Sequence, residues 1–397
     1  MFRPSVPLTK LGSVEVGATF SSGTGSGGIP GDKCSVIDIC DGIVVYVDEA
    51  YTVSWWDHED GSRIGTFSLL DPSGEGKHAY AKKVVGEPIG VRLLLREGRV
   101  ALIVVCCEHA IFSVGCDHKV HVEFARSFDM KTFSSFSVDD RAHLAPDTLI
   151  VHDTSCVIYV SSNEGSMAGL NYDLKVHKRT SDASPSFAPL QKGVGISSLC
   201  LVNLDKSKRV IAIGGSDGTV SVWDENDSKL WPGTTRVHDS AVHSIDIYPS
   251  HPEEATKGVS LYTFSSDKSV SLLLLSSTST SIRRVSSKRV MWKQAVKTVR
   301  PFPNLKWSSI SFLAVTSSKE PFVYHFSNTS SDEAQDVLCD LTPLRKKGVK
   351  VYDIAVDRHN SSKVALACNI GGVVVTLDAV YTKLMARPKF AESKQGG

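Results

Sequence analysis

Apolar and polar residues alternate in short runs along this chain, and polar turns separate the runs. The clearest example is 209–224 (RVIAIGGSDGTVSVWD), where two β-type runs flank Asp217-Gly218. Asp-Gly between alternating apolar residues signals a hairpin, because both residues tolerate the positive φ that a two-residue turn demands. The pattern returns at 44–57 (VVYVDEAYTVSWWD) and at 364–378 (VALACNIGGVVVTLD). Residues 261–274 keep a turn at Asp267-Lys268 but have lost the closing Trp-Asp, and fainter copies stand at 100–117, 158–173 and 314–326.

Aligned on their last residues, these copies close at positions 57, 117, 173, 224, 274, 326 and 378, with spacings of 60, 56, 51, 50, 52 and 52. A near-constant period is the signature of a repeat architecture. Each unit adds an apolar run before its hairpin and a more polar run after it. The fourth reads 196–202, 210–215 and 218–224 with a looser stretch to Val237, and the fifth reads 242–248, 259–265, 269–275 and 281–287. Four strands per unit predict a propeller blade with an inner strand on a central channel and an outer strand facing water. The unbroken run 101–105 fits a strand covered on both faces by neighbouring blades, as does 89–95, interrupted only by Arg92.

The expected fold is therefore all-β: a seven-bladed β-propeller of four-stranded antiparallel blades. Ring closure is assigned to 14–20 (VEVGATF), expected to pair with 372–378; 379–384 is the alternative. The expected organisation is a flexible head over 1–32 carrying that closing strand, a single propeller over 33–380 and a flexible tail over 381–397.

The repeats resemble the WD40 family, whose units run about 40–45 residues and often end in Trp-Asp. The resemblance spans roughly 34–378, and Trp56-Asp57 and Trp223-Asp224 carry the full ending, while Asp378 keeps only the Asp. The family's Gly-His dipeptide is absent, and Val237-His238-Asp239 is its nearest counterpart. The resemblance implies that His238 packs against the turn residue Asp267 of the same blade, as Asp217 marks the turn of the blade before it. Only the fifth unit retains both members of that pair, so most blades must be held by packing.

A formal net charge of +1 implies no global attraction to nucleic acid or membrane. No apolar run approaches the roughly eighteen residues that a membrane span requires. The nine cysteines are odd in number, scattered, and mostly inside predicted strands. That pattern fits reduced, buried thiols and a cytoplasmic or nuclear protein. The acid-poor, Ser/Thr-rich first 28 residues leave a mitochondrial presequence open.

Chemical motifs mostly dissolve on inspection. Gly23–Gly28 satisfies G-x-G-x-x-G, but Ile29-Pro30-Gly31-Asp32 follows and cannot open the helix that a dinucleotide site needs. Cys106-Cys107-Glu108-His109 with Cys116 and His118 lacks the paired spacing of structural zinc, and adjacent strand cysteines point to opposite faces. No cofactor or metal is expected. The predicted inner strands offer few acids, with Asp38, Asp246 and Asp353 as exceptions, and nothing in the spacing favours catalysis.

Charge is more informative. Residues 282–307 hold eight basic side chains (Arg283, Arg284, Lys288, Arg289, Lys293, Lys297, Arg300, Lys306) and no acid, with Trp292, Phe302 and Trp307 interleaved. In a propeller the loop into the sixth inner strand and the one into the seventh share a face. Lys288, Arg289, Lys293, Lys297, Arg345, Lys346, Lys347 and Lys350 then form one basic patch. The WD40 resemblance implies a non-catalytic scaffold or adaptor that binds other proteins in a larger complex, and the patch adds an acidic segment to the expected partners. An RNA-associated factor using the same patch is the alternative.

Overall fold

A computed structural model describes residues 16–20, 34–59, 61–74, 79–96, 98–115, 119–138, 155–173, 178–179, 187–204, 208–248, 258–276, 280–289, 296–302, 309–316, 321–327, 350–357, 363–369 and 371–376. The chain is all-β. Strand β1 (Val16–Phe20) joins the last sheet. Sheet I contains β2 (Cys34–Cys40), β3 (Ile43–Asp48), β4 (Thr52–Asp57) and β5 (Arg63–Ser68). Sheet II contains β6 (Pro88–Arg96), β7 (Arg99–Cys107), β8 (Ala110–Gly115) and β9 (Val120–Phe124). Sheet III contains β10 (Ser135–Val138), β11 (Ser155–Ser161), β12 (Met167–Asp173) and β13 (Lys178–Arg179).

Sheet IV contains β14 (Ile196–Asn203), β15 (Arg209–Gly215) and β16 (Thr219–Asp224), with β17 (Lys229–Leu230) and β18 (Thr235–Arg236) both paired to β16. Pro232-Gly233 splits this outer strand, since proline supplies no N–H to a ladder. Sheet V contains β19 (Val242–Tyr248), β20 (Val259–Ser265), β21 (Ser269–Ser276) and β22 (Ser281–Arg289). Sheet VI contains β23 (Val296–Phe302), β24 (Ser309–Thr316) and β25 (Pro321–Ser327) among the described residues. Sheet VII contains β26 (Val351–Val356), β27 (Lys363–Cys368), β28 (Gly371–Thr376) and β1. Helix is confined, among the described residues, to one turn at Lys82–Val85 and a 3-10 turn at Ala125–Phe128.

The core lies between consecutive sheets. In β7, Ile103, Val105 and Cys107 face a cluster shared with sheet I, and Leu102, Val104 and Cys106 face one shared with sheet III. In β15, Ile211 and Ile213 pack toward sheet III while Val210 and Ala212 pack toward sheet V. In β3, Val45 and Val47 pack with sheet II while Val44 and Tyr46 pack with sheet VII. Burial of both faces explains why these second strands read as continuous apolar runs.

The first strand of every sheet is an edge of that sheet. It contacts its counterparts on either side: β2 touches β6 and β26, β10 touches β6 and β14, β19 touches β14 and β23, and β23 touches β26. Backbone groups left open at these edges take side-chain partners from the next sheet. Asp353 Oδ2 accepts the Ile37 N–H at 3.2 Å, and Asp38 Oδ2 accepts the Leu93 N–H at 2.8 Å. Ser135 and Ser137 accept the Leu199 and Leu201 N–H groups, each at 3.1 Å. Ser197 and Ser198 donate to the Val242 carbonyl at 2.7 and 2.8 Å. Asp38 and Asp353, read from sequence as channel acids, are thus committed sideways to backbone.

The hairpin turns differ from the two-residue form expected at Asp217-Gly218. Three residues, Ser216 to Gly218, separate β15 from β16; the Gly218 N–H bonds the Gly215 carbonyl, and of the Asp-Gly pair only Gly218 has positive φ, at 86°. The loops ending at Tyr51 (φ 65°) and Lys268 (φ 66°) repeat this arrangement, with N–H bonds to the Asp48 and Ser265 carbonyls. A type I turn followed by one left-handed residue suits a right-twisted hairpin as well as the shorter turn does, and needs only one positive φ.

β1 lies antiparallel to β28, with Val16 opposite Val375, Thr19 opposite Val373 and Phe20 opposite Gly372. The alternative segment 379–384 lies outside the described residues. Deleting residues 1–21 removes these pairings and uncovers the edge of β28. The expected outcome is one cooperative transition at lower temperature or denaturant, with a loss of about 2–4 kcal/mol. An unchanged melting curve would eliminate β1 as a stabilising strand.

Candidate functional site

The most connected polar cluster described joins the segment after β18 to the β20–β21 hairpin. Gly218 places it. Its carbonyl accepts the N–H groups of Val237 and His238, both at 3.1 Å. A Cβ on Gly218 would stand 2.2 Å from the His238 carbonyl oxygen, so the close approach as well as the positive φ requires glycine there. His238 is buried. Its Nδ1 meets Ser269 Oγ at 2.6 Å, its Nε2 meets Thr263 Oγ1 at 2.8 Å, and Asp267 Oδ2 stands 3.7 Å from Nδ1.

The carboxylate settles the direction of these bonds. Asp267 Oδ1 accepts from the Ser269 N–H at 2.8 Å and the Ser269 hydroxyl at 2.5 Å, while Oδ2 accepts the Asp239 N–H at 2.7 Å. With its proton given to Asp267, the Ser269 oxygen accepts from Nδ1–H, and Nε2 is left to accept from the Thr263 hydroxyl. His238 is then neutral and fully satisfied. Burial holds its pKa below the ordinary imidazole value against the opposing Asp267 charge, and Arg284 lowers it further. Burial also acts to raise the Asp267 carboxyl, but bonds from Ser269 and Asp239 hold it below the usual carboxylate range.

The chain of contacts runs Asp267–Ser269–His238–Thr263. The hydroxyl sits between carboxylate and imidazole, unlike a catalytic triad, in which the imidazole is central. What it does chemically is fasten one loop to one hairpin. His238 and Asp267 are brought together as the resemblance implied, but through Ser269. Thr263 and Ser269 were missed in the sequence, although Ser269 directly follows the Ser266–Lys268 turn and Thr263 stands three residues before it.

The remaining repeat residues serve local geometry. Asp217 accepts the Thr219 N–H at 3.1 Å and hydroxyl at 2.6 Å. The Trp223 ring lies 4.4 Å from that of Phe187. Asp224 accepts Trp231 Nε1 at 3.2 Å and the Asn226 and Asp227 N–H groups, and pairs with Lys208 at 3.4 Å. Its burial acts to raise its pKa, and these donors outweigh it and hold the carboxyl low. Asp57 accepts the Glu59 N–H at 2.8 Å, and Trp56 packs at the edge of the core shared by sheets VII and I. Asp378 lies outside the described residues.

The basic patch is only partly described. Lys288 and Arg289 belong to strand β22, opposite Val270 and Ser269, where a connecting loop was expected. Pairing with β21 carries on to the hairpin turn, so the outer strand is two residues longer than its apolar pattern suggested. Lys297 lies in β23, at an irregularity between Val296 and Thr298. Lys350 is exposed, and its N–H bonds Asn369 Oδ1 at 2.8 Å. Lys293, Arg345, Lys346 and Lys347 lie outside the described residues, as do Gly23–Gly28.

Two arginines left out of the predicted patch line a cleft of about 240 Å³ beside the His238 cluster. Arg236, from the split outer strand of sheet IV, and Arg284, from β22, share it with Asp239, Asp267, Ser269 and Ser287. Both arginines are exposed. No group of three or more His, Cys, Asp or Glu suited to a metal occurs among the described residues. The seven described cysteines are buried free thiols, and burial raises Cys368 to about 12. No described helix is long and apolar enough to cross a membrane. No protein-family model matches this chain, and no curated protein matches it.

His238 gives a pH signature. A neutral buried imidazole binds fewer protons folded than unfolded, so stability falls as pH drops below the unfolded value of about 6.5. Chemical denaturation between pH 7.5 and 5.5 should show that fall in the wild type and a flatter profile in His238→Gln. Equal slopes would show that His238 does not titrate as this geometry requires.

Proposed function

We propose that this chain is a divergent WD40-type propeller of seven blades and a non-catalytic scaffold in a multiprotein assembly. The observation that carries this reading is the sequence of first-strand contacts, which passes from sheet I through sheet VII and back to sheet I. The strand added by β1 to sheet VII supports closure of such a ring. Trp56-Asp57, Trp223-Asp224 and the His238–Asp267 cluster supply the resemblance. A rigid body with two faces and a rim can hold several proteins together. The basic segments around sheets V to VII favour an acidic protein segment among its partners.

Affinity purification of the tagged full chain from its own cells tests this. Proteins should co-elute in fixed ratio and remain after nuclease treatment. An Arg345→Glu/Lys346→Glu/Lys347→Glu variant should lose at least one of them. Retention of every partner would remove the patch, and partners lost to nuclease would favour the RNA-associated alternative.

A further inference from the structure

The geometry points to β22 as the docking edge for an extended acidic segment of a partner protein, added to sheet V as a fifth strand. This rests on the scaffold reading above and gives it a contact. β22 is nine residues long, the longest outer strand among the described residues, and no described strand pairs with its far side. The other described fourth strands run from two to six residues. A long open edge presents unpaired N–H and C=O groups to any chain that can lie beside it.

Charge decides which chain that is. Arg283 and Arg284 are exposed, and 282–307 contains no acid in sequence. Basic edges ordinarily guard against self-association, and two copies of β22 would repel each other. The same charge favours a strand carrying Glu or Asp; because Arg283 and Arg284 are successive strand residues on opposite faces, acids at alternate positions oppose one of them. Arg236 and Arg284 also line the adjoining cleft, but Asp239 and Asp267 line it with them and balance their charge, so the net basic surface is that of the strand itself. Val285 adds an apolar contact: Leu272 pairs with Ser286 and Leu273 with Arg284, so Val285 is the extra residue of a bulge, and it is 49% exposed. Because a bulge interrupts the ladder, the incoming strand pairs on one side of it, along Ile282–Arg284 or along Ser286–Arg289.

The test uses the full chain and a fluorescein-labelled ten-residue peptide of alternating Glu and Val, followed by fluorescence anisotropy. Binding should weaken with added salt. It should fall about ten-fold or more both in an Arg283→Glu/Arg284→Glu variant and when alternate peptide nitrogens are methylated to block strand pairing. Hydrogen exchange at the β22 amides should slow when the peptide binds, and a melting curve on the variant confirms that it folds. Equal binding of the methylated peptide would reduce the contact to diffuse charge and overturn strand addition. Absent binding, an unaffected variant or tighter binding of a ten-nucleotide oligouridylate would each overturn the acidic-strand assignment. If protein partners still co-purify with the tagged chain, the scaffold reading survives that failure; if none does, both fall together.

Discussion

An open backbone edge has to be satisfied or covered, and in this protein the constraint falls on the first strand of every sheet. Each of these strands bonds a neighbour in its own sheet on one side and meets another sheet's first strand on the other. Asp353, Asp38, Ser135 and Ser137 answer the constraint by accepting N–H groups across the seams. A charged acceptor is worth more than a neutral one, on the order of 1.5–3 kcal/mol against about 1. Asp353 closes the seam where the last sheet meets the first. Asp357 reinforces it by accepting the Asp41 and Gly42 N–H groups at 3.1 and 3.2 Å, as does Lys363, which reaches His58 and Glu59.

Apolar packing and polar capping divide the work. The second strands are buried on both faces and bind consecutive sheets through side chains of opposite orientation, as Cys106 and Cys107 show by entering different clusters. Those contacts resist separation of the sheets but do little to fix their register. The directional bonds at the first strands, together with the His238 cluster at the turn end of sheet V, set that register. Such a frame leaves its outer strands and turns free to vary, and those are the places where β22, Arg236 and Arg284 present chemistry to solvent.

Much of the fold was legible in the sequence because it depends on local periodicity. The first three strands of sheets IV and V fall within about a residue of the runs predicted by alternation, whereas the outer strand of sheet V runs two residues further and that of sheet IV is split. The turn type was misread because Asp-Gly invites the shorter form, while Tyr51 and Lys268 hold the left-handed position without glycine. The seam bonds were invisible for a different reason. Asp38 and Leu93 are 55 residues apart and Asp353 and Ile37 are 316 apart, and nothing local says which way a first-strand acid turns. The His238–Asp267 pair was reached only through resemblance, and Ser269 and Thr263 became visible once the loop and hairpin were placed together. Arg236 was missed because its partner in the cleft lies on another sheet.

The bond from Ile37 to Asp353 is where the edge constraint can be broken by one substitution. Amide hydrogen exchange should be compared residue by residue between the wild type and Asp353→Ala. Ile37 should lose protection first, and the strands of sheets I and VII should lose protection together while those of sheets III and IV hold theirs. Unchanged protection at Ile37, or a loss spread evenly over all the sheets, would contradict the edge constraint.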